Sequence, residues 1–157
     1  MTEQFNGFYI NKKMINILVL CTGNSCRSQI AHGYLEHFTD SEKVKVYSAG
    51  ITTHGVNPRA IETMKADGID ISHHTSNLVD DYKNIDFDYV LTVCDNANEN
   101  CPVWIRQSNI KSPIIIHHNF PDPPKFVGTE EEIVAEFARV RDLIRNYIRD
   151  FVEKNAL

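Results

Sequence analysis

The segment with the clearest chemistry spans residues 21–28 and reads Cys-Thr-Gly-Asn-Ser-Cys-Arg-Ser. Its small residues allow consecutive backbone N–H groups to turn inward and form a nest for an anion. Arg27 can hold two oxygens of a tetrahedral oxyanion with its planar guanidinium. The segment therefore predicts a site where a phosphate-like anion meets a cysteine. The residues predicted to bind the oxyanion are Thr22, Gly23, Asn24, Ser25, Cys26 and Arg27.

Cys21 is the predicted nucleophile of this loop. Arg27 and the positive N-terminus of the helix that follows favour a thiolate, so we expect the pKa of Cys21 to lie well below the free value of about 8.5. Ser28 can donate a hydrogen bond to that thiolate. The alternative is a cysteine that merely ends a buried strand. Cys26 fits either a small buried filler or a loop residue with a secondary redox role.

Hydrophobic patterning places the loop between a strand and a helix. Residues 14–20 form a short, continuous apolar run, which is typical of a buried parallel strand. From residue 28 onward the apolar residues recur at helical spacing. The face that they predict consists of Ile30, Ala31, Tyr34, Leu35 and Phe38.

Further strands and helices alternate along the rest of the chain. Strands are predicted at residues 44–48, 89–93 and 114–117, and helices at 58–66 and 129–152. This alternation predicts an α/β fold, with a single domain of residues 14–157 whose four-stranded parallel sheet carries helices on both faces. Residues 1–13 are predicted to be a flexible N-terminal extension. Ligands bind such sheets at the carboxyl ends of the strands, where Cys21 falls.

Composition limits the classes of partner. The chain has 157 residues and a formal net charge of -5, which argues against nucleic acid or an anionic membrane as a partner. No apolar run approaches the ~20 residues of a membrane helix, and residues 1–13 lack the layout of a signal peptide. We therefore expect a cytoplasmic protein. Thiols stay reduced there, so the four cysteines are expected to be catalytic, redox-active or metal-binding.

Residues 93–102 add two thiols after the third predicted strand, in the sequence Val-Cys-Asp-Asn-Ala-Asn-Glu-Asn-Cys-Pro. Cys94 and Cys101 fit a redox pair, but each alone also fits a structural or surface cysteine. A zinc site with His117 or His118 is a further alternative. The six-residue gap between the cysteines is not the usual spacing of a zinc knuckle.

The loop and the alternating elements resemble the low-molecular-weight protein tyrosine phosphatase fold, and more narrowly the thioredoxin-coupled arsenate reductases built on it. The resemblance covers about residues 15–152 and includes residues 47–51, 53–60 and 68–76. It implies that Cys21 attacks arsenate and forms a covalent adduct. Cys94 would then attack Cys21 and release arsenite, and Cys101 would attack Cys94 to give a disulfide that thioredoxin reduces. Thiol–disulfide exchange would require residues 95–100 to move.

Asp122 stands before Pro123, where the resemblance implies a general acid that protonates the oxygen leaving arsenate. A turn residue before proline is the alternative. Gln29 favours the reductase branch, because the phosphatases usually have proline there. The predicted function is thus reduction of arsenate to arsenite through a three-cysteine disulfide relay. A low-molecular-weight protein tyrosine phosphatase and a non-catalytic thiol redox sensor are the alternatives.

The expected partners are arsenate, with phosphate or sulfate as competing oxyanions, and thioredoxin. No tightly bound cofactor is expected. Some arsenate reductases of this kind bind potassium through a glutamate on the first helix and an aspartate after a His-Thr-Ser segment. His32 and Asn77 stand at the matching positions, so the resemblance does not imply a potassium site here, although Asn24 and Ser48 remain. His32 fits either a contact with the loop or an ordinary half-exposed histidine.

Overall fold

The structure is a computed structural model that describes residues 2–5, 8–11, 13–106 and 112–157. Two short strands, β1 (Thr2–Phe5) and β2 (Phe8–Asn11), pair antiparallel near the start of the chain. The hydrophobic pattern of residues 1–13 is only weakly periodic, so these two strands were not predicted. Residues 1, 6, 7 and 12 of the predicted extension lie outside the described residues, and the flexibility of the extension stays a prediction.

The main sheet has four parallel strands and confirms the predicted single α/β domain. The four strands are β3 (Ile15–Cys21), β4 (Val44–Gly50), β5 (Tyr89–Thr92) and β6 (Ile114–His117). They lie side by side in the order β4-β3-β5-β6. The central pair is the most buried, because continuous apolar runs suit strands that are covered on both faces. In β3, the side chains of Ile17, Leu18, Val19 and Leu20 are fully buried.

Three longer helices match the predicted ones, and two short helices were not predicted. The loop that follows β3 leads directly into the first helix, as the sequence predicts. None of the helices that the structure describes is long and apolar enough to cross a membrane. The helices are α1 (Arg27–Phe38), α2 (Pro58–Ala66), α3 (Asp95–Glu99), α4 (Val103–Arg106) and α5 (Glu130–Lys154), with 3-10 turns at Val79–Tyr82 and Pro123–Lys125.

Local capping explains where the long helices begin. The Asn57 side chain accepts a hydrogen bond from the N–H of Arg59, and Pro58 occupies the first turn of α2. Thr129 and Glu132 form the reciprocal capping box predicted for α5. Because α5 packs against α1 and α2, its apolar stripe closes the core beside the sheet.

Strand register brings the functional segments to one edge of the sheet. Cys21 lies opposite Gly50 on β4, and Leu20 lies opposite Thr92 on β5. Thr92 in turn lies opposite His117 on β6. The segments that follow all four strands therefore meet at the carboxyl edge, where ligands bind in sheets of this kind.

Candidate active site

The backbone of the loop after β3 is held from outside by the segment after β4. A trans peptide directs each carbonyl opposite to the following N–H, so carbonyls bonded outward leave the next N–H groups facing the opposite side. This arrangement forms the predicted anion nest. The bonds run from Thr52 N to Thr22 O (2.9 Å), His54 N to Gly23 O (3.0 Å) and Asn57 N to Ser25 O (2.9 Å).

Asn24 fixes the turn of the loop and does not offer its side chain to a ligand. Its backbone has a φ of 46°, in the left-handed region that asparagine tolerates. Its amide donates to Ser28 Oγ at 2.8 Å and accepts from Asn77 N at 2.8 Å. Gln29 Nε2 donates to the Asn24 carbonyl at 3.0 Å. Asn24 therefore serves the nest through its backbone, and the contact observed for Ser28 is with Asn24.

Arg27 is positioned by the segment after β6. The guanidinium is buried; one terminal nitrogen donates to the carbonyl of Phe120 at 2.9 Å, and the other lies 3.6 Å from a carboxylate oxygen of Asp122. Its Nε is buried and has no hydrogen-bond partner in the part of the chain that the structure describes. A buried unpaired donor is costly, so this nitrogen is suited to an oxyanion oxygen.

Cys94 lies beside the oxyanion loop, where its Sγ is 3.3 Å from the hydroxyl of Thr22 and accepts from the N–H of Ala97 at 3.4 Å. The hydrogen bond from Cys21 is the main reason that the pKa of Cys94 falls to about 5, and the hydroxyl of Thr22, 3.3 Å from the Cys94 sulfur, contributes. The same hydrogen bond, together with burial, raises the pKa of Cys21 despite the nearby Arg27. The expected low pKa of Cys21 is therefore wrong for the structure as it stands. The pair shares one proton, and the thiolate lies on Cys94.

The pH at which this thiolate forms is a testable consequence. Because the pKa of Cys94 is lowered, its thiolate should persist down to about pH 5 and disappear below it. Ultraviolet thiolate absorbance, followed through a pH titration, should show one such transition per chain. Cys94→Ser should remove it, and Cys21→Ala should move it to higher pH by removing the donor.

Cys101→Ser is the matched control for this titration. Burial raises the pKa of Cys101, so its loss should leave the acidic transition unchanged. An acidic transition that survives Cys94→Ser would contradict the assignment.

The other two cysteines are held as thiols. Burial, followed by the nearby Asp122, raises the pKa of Cys26 to about 12. This fits the filler role better than the redox role. Cys101 lies between α3 and α4 and is 7% exposed. All four cysteines are free and buried.

A cavity of about 300 Å³ opens over the loop. Three of its lining residues, His54, Asn57 and Lys125, were not predicted as site residues. His54 packs against the loop: a Cβ added to Gly23 would lie 2.2 Å from its ring, so glycine is required there. These residues reach the cavity from segments distant in sequence, and only the resemblance at residues 53–60 hinted at them. Lys125 adds positive charge to the cavity mouth.

Asp122 lies in the same cavity as Cys21 and Arg27. Its backbone begins the 3-10 turn Pro123–Lys125, and its side chain is 25% exposed. The predicted general acid is therefore brought to the predicted nucleophile.

Contacts of the histidines argue against zinc at Cys94 and Cys101. His117 contacts Thr92 Oγ1 and Asp95 Oδ1, both at 2.8 Å. The His118 ring packs against Phe120 and Tyr147. Within the described ranges, the potential metal ligands that converge lie elsewhere, on α1 and after α2.

Asn77 contacts the back of the loop, whereas His32 contacts β4. His32 Nδ1 lies 2.7 Å from Ser48 Oγ, and burial lowers its pKa. Asn77 bonds to Asn24, as described above. These contacts connect α1 to β4 and the segment after α2 to the loop, without a carboxylate at position 32 or 77, and we assign no step to potassium.

Four parallel strands with an anion nest, a cysteine and an arginine after the first of them define a class of phosphatase-like enzymes. The chain belongs to the low molecular weight phosphotyrosine protein phosphatase family, whose model matches residues 16–156.

Within that family, the relatives most similar to the chain include arsenate reductases. Arsenate reductase from Bacillus subtilis is 46% identical over 137 residues, covering 87% of this chain and 94% of that protein. Arsenate reductase 1 from Staphylococcus saprophyticus is 49% identical over 135 residues, covering 86% and 94%. A solved arsenate reductase in the phosphate-binding state is similar with a TM-score of 0.72 and 30% identity, covering 90% of this chain and 98% of that one.

Proposed function

We propose that this protein reduces arsenate to arsenite, using Cys21, Cys94 and Cys101 as a disulfide relay that thioredoxin recycles in the reducing cytoplasm. The observation that carries the proposal is the position of Cys94, whose Sγ lies 3.3 Å from the hydroxyl of Thr22, the residue that follows Cys21 in the oxyanion loop. A phosphatase needs one thiol at this place, whereas reduction needs a second thiol within reach of the first.

Oxyanion binding and attack form the first step. The nest and the unpaired Nε of Arg27 bind three oxygens of arsenate, and Arg27 balances the negative charge. The sulfur of Cys21 attacks arsenic and forms an S–As bond. One oxygen leaves as water after Asp122 protonates it. The proton of Cys21 can pass along its hydrogen bond to Cys94 as the nucleophile forms.

Asp122→Asn tests the proton donor. The amide keeps the shape of the side chain but cannot supply the proton, so kcat should fall by about 10²-fold or more. Phosphate should bind at least as tightly, because a negative charge beside Arg27 is removed. Stopped-flow arsenite release and calorimetry with phosphate measure the two quantities.

Asp150→Asn, on the exposed side of α5, is the matched control and should leave both unchanged. Full activity in Asp122→Asn would remove Asp122 from the mechanism.

Electron transfer follows at Cys94. Its thiolate attacks the sulfur of Cys21, the S–As bond breaks, and the bonding pair stays on arsenic. Arsenic is thereby reduced from As(V) to As(III) and leaves as arsenite, while the two thiols are oxidised to a Cys21–Cys94 disulfide. Cys94 first releases to solvent the proton that it took from Cys21, and the hydroxyl of Thr22 and the N–H of Ala97 still favour its thiolate for the attack.

Transfer of the disulfide to Cys101 requires α3 to unwind. α3 occupies the segment between Cys94 and Cys101, and a disulfide needs their Cα atoms within about 7 Å, so we propose that this segment rearranges. α3 has five residues, and Asp95, Asn96 and Glu99 are exposed, so little buried surface opposes its unwinding. Cys101 would then attack Cys94, free Cys21 and present the Cys94–Cys101 disulfide to thioredoxin.

A coupled assay tests the proposal. Arsenate, thioredoxin, thioredoxin reductase and NADPH are supplied, and we expect NADPH consumption that depends on arsenate and matches arsenite release. An aryl phosphate is assayed in parallel, because the phosphatase alternative predicts efficient hydrolysis that does not require Cys94 or Cys101. Peroxide-driven disulfide formation without arsenate turnover would instead favour the redox sensor.

A further inference from the structure

Three side chains converge behind the oxyanion loop, on the side away from the cavity. His32 and Glu36 lie one turn apart on α1, and His74 reaches them from the segment after α2. The Nε2 atoms of His32 and His74 lie 3.3 and 3.2 Å from the same oxygen, Oε1 of Glu36. All three donor atoms lie within 4.8 Å of one another. This histidine–glutamate cluster has no part in the proposed reaction.

The tautomer of His74 is fixed by its other neighbour. Gln29 Nε2 donates to the carbonyls of Asn24 and Thr75, at 3.0 and 2.9 Å, so Gln29 Oε1 is the acceptor end of that amide. Oε1 lies 3.0 Å from His74 Nδ1, which must therefore carry a hydrogen. In a neutral imidazole, Nε2 then has a lone pair, and it faces a carboxylate oxygen.

His32 is oriented in the same way. Its Nδ1 lies 2.7 Å from the Ser48 hydroxyl, which can accept its hydrogen. Histidine ligands of metals commonly donate their second ring nitrogen to a fixed acceptor of this kind, which turns the free nitrogen toward the ion. The His74 side chain is 4% exposed, so contacts with the protein rather than with solvent set the orientation of its ring.

The spacing of the donor atoms fits a tetrahedral ion. Bonds of about 2.0–2.1 Å at the tetrahedral angle place neighbouring donor atoms about 3.3 Å apart. The two nitrogen–oxygen separations in the cluster are 3.2 and 3.3 Å. Two imidazoles and one carboxylate are also a known donor set for zinc, with water as a fourth ligand.

We propose that His32, Glu36 and His74 form a binding site for one divalent transition-metal ion of the Zn²⁺ class. The site is separate from Cys21 and does not depend on the proposed reductase activity. Because His74 bonds to Gln29 and Gln29 bonds to the loop at Asn24, an ion on His74 would also hold the back of the oxyanion loop.

Zinc content measured after equilibrium dialysis of the reduced full chain tests the site. Wild type should retain one more Zn²⁺ per chain than Glu36→Gln or His32→Gln, whose affinity should fall about tenfold or more. Zinc held by the cysteines is common to all variants and cancels in the difference. His37→Gln is the matched control, because His37 is exposed on α1 beside Glu36 but outside the cluster, and it should bind as wild type does.

Two further readouts separate the cluster from the thiols. With Co²⁺, the difference spectrum between wild type and Glu36→Gln should show tetrahedral d–d bands without a sulfur charge-transfer band. Zn²⁺ should raise the thermal unfolding temperature of wild type more than that of Glu36→Gln. Equal zinc content in wild type, Glu36→Gln and His32→Gln would overturn the proposal, leaving only the contacts among the three side chains. A sulfur band in the difference spectrum, or equal loss in His37→Gln, would overturn it as well.

Discussion

Replacing Cys21 with serine should abolish arsenate reduction while leaving the fold and the oxyanion site in place. A hydroxyl at this position is a far weaker nucleophile than a thiol and cannot form the first disulfide, so both the adduct and the electron transfer are lost. We expect a fall on the order of 10⁵-fold or more in kcat, the range seen when a nucleophile is removed. Arsenite release over long incubations measures it.

Phosphate binding supplies the internal control for this variant. The nest and Arg27 do not involve the side chain of residue 21, so calorimetry should give a phosphate Kd close to that of wild type. Lost binding would show that the substitution collapses the loop. Activity above a tenth of wild type would mean that another group attacks arsenate.

The local sequence was enough to predict the loop, the position of Cys21 in it and the helix caps. Residues 21–28 include both reacting and binding groups within one strand–loop–helix unit, so their contacts follow from short-range geometry. The starts of α2 and α5 follow in the same way from Asn57 and Thr129. Features of this kind could be predicted because each depends on neighbours within a few residues.

The protonation of the two thiols could not be predicted in that way. Cys21 and Cys94 are 73 positions apart, and their hydrogen bond reverses the effect expected from Arg27 alone. Sequence gives the charge of a neighbour but not which of two thiols donates. The low pKa therefore falls on Cys94, the residue that attacks second in the proposed relay.

The histidine–glutamate cluster behind the loop is a second feature that could not be predicted from the sequence alone. His32 and Glu36 are one helical turn apart, a spacing that sequence shows, but His74 joins them only through the packing of α1 against the segment after α2. Because position 32 carries a histidine instead of a glutamate, the sequence argued against a potassium site. Only the three-dimensional arrangement shows that the imidazole in its place faces another carboxylate and another imidazole.

Removing the thiol of Cys94 or of Cys101 should stop the proposed relay at two different stages. Cys94→Ser should form the adduct at Cys21 but release no arsenite above background, because the sulfur that takes the electrons is gone. Cys101→Ser should release one arsenite per chain in a burst and then stop as the Cys21–Cys94 disulfide. Rapid-quench arsenite measurements, with thioredoxin as the reductant, distinguish a full burst from none.

Disulfide mapping and hydrogen exchange identify the stage that each chain reaches. Oxidised wild type should carry Cys94–Cys101, and the amides of α3 should lose their protection, because the proposed relay rearranges the segment between the two cysteines. Oxidised Cys101→Ser should carry Cys21–Cys94 and keep α3 folded, because Cys94 already lies against Thr22, the residue next to Cys21. Steady turnover by Cys101→Ser at the wild-type rate would mean that thioredoxin reduces Cys21–Cys94 directly and that α3 need not unwind.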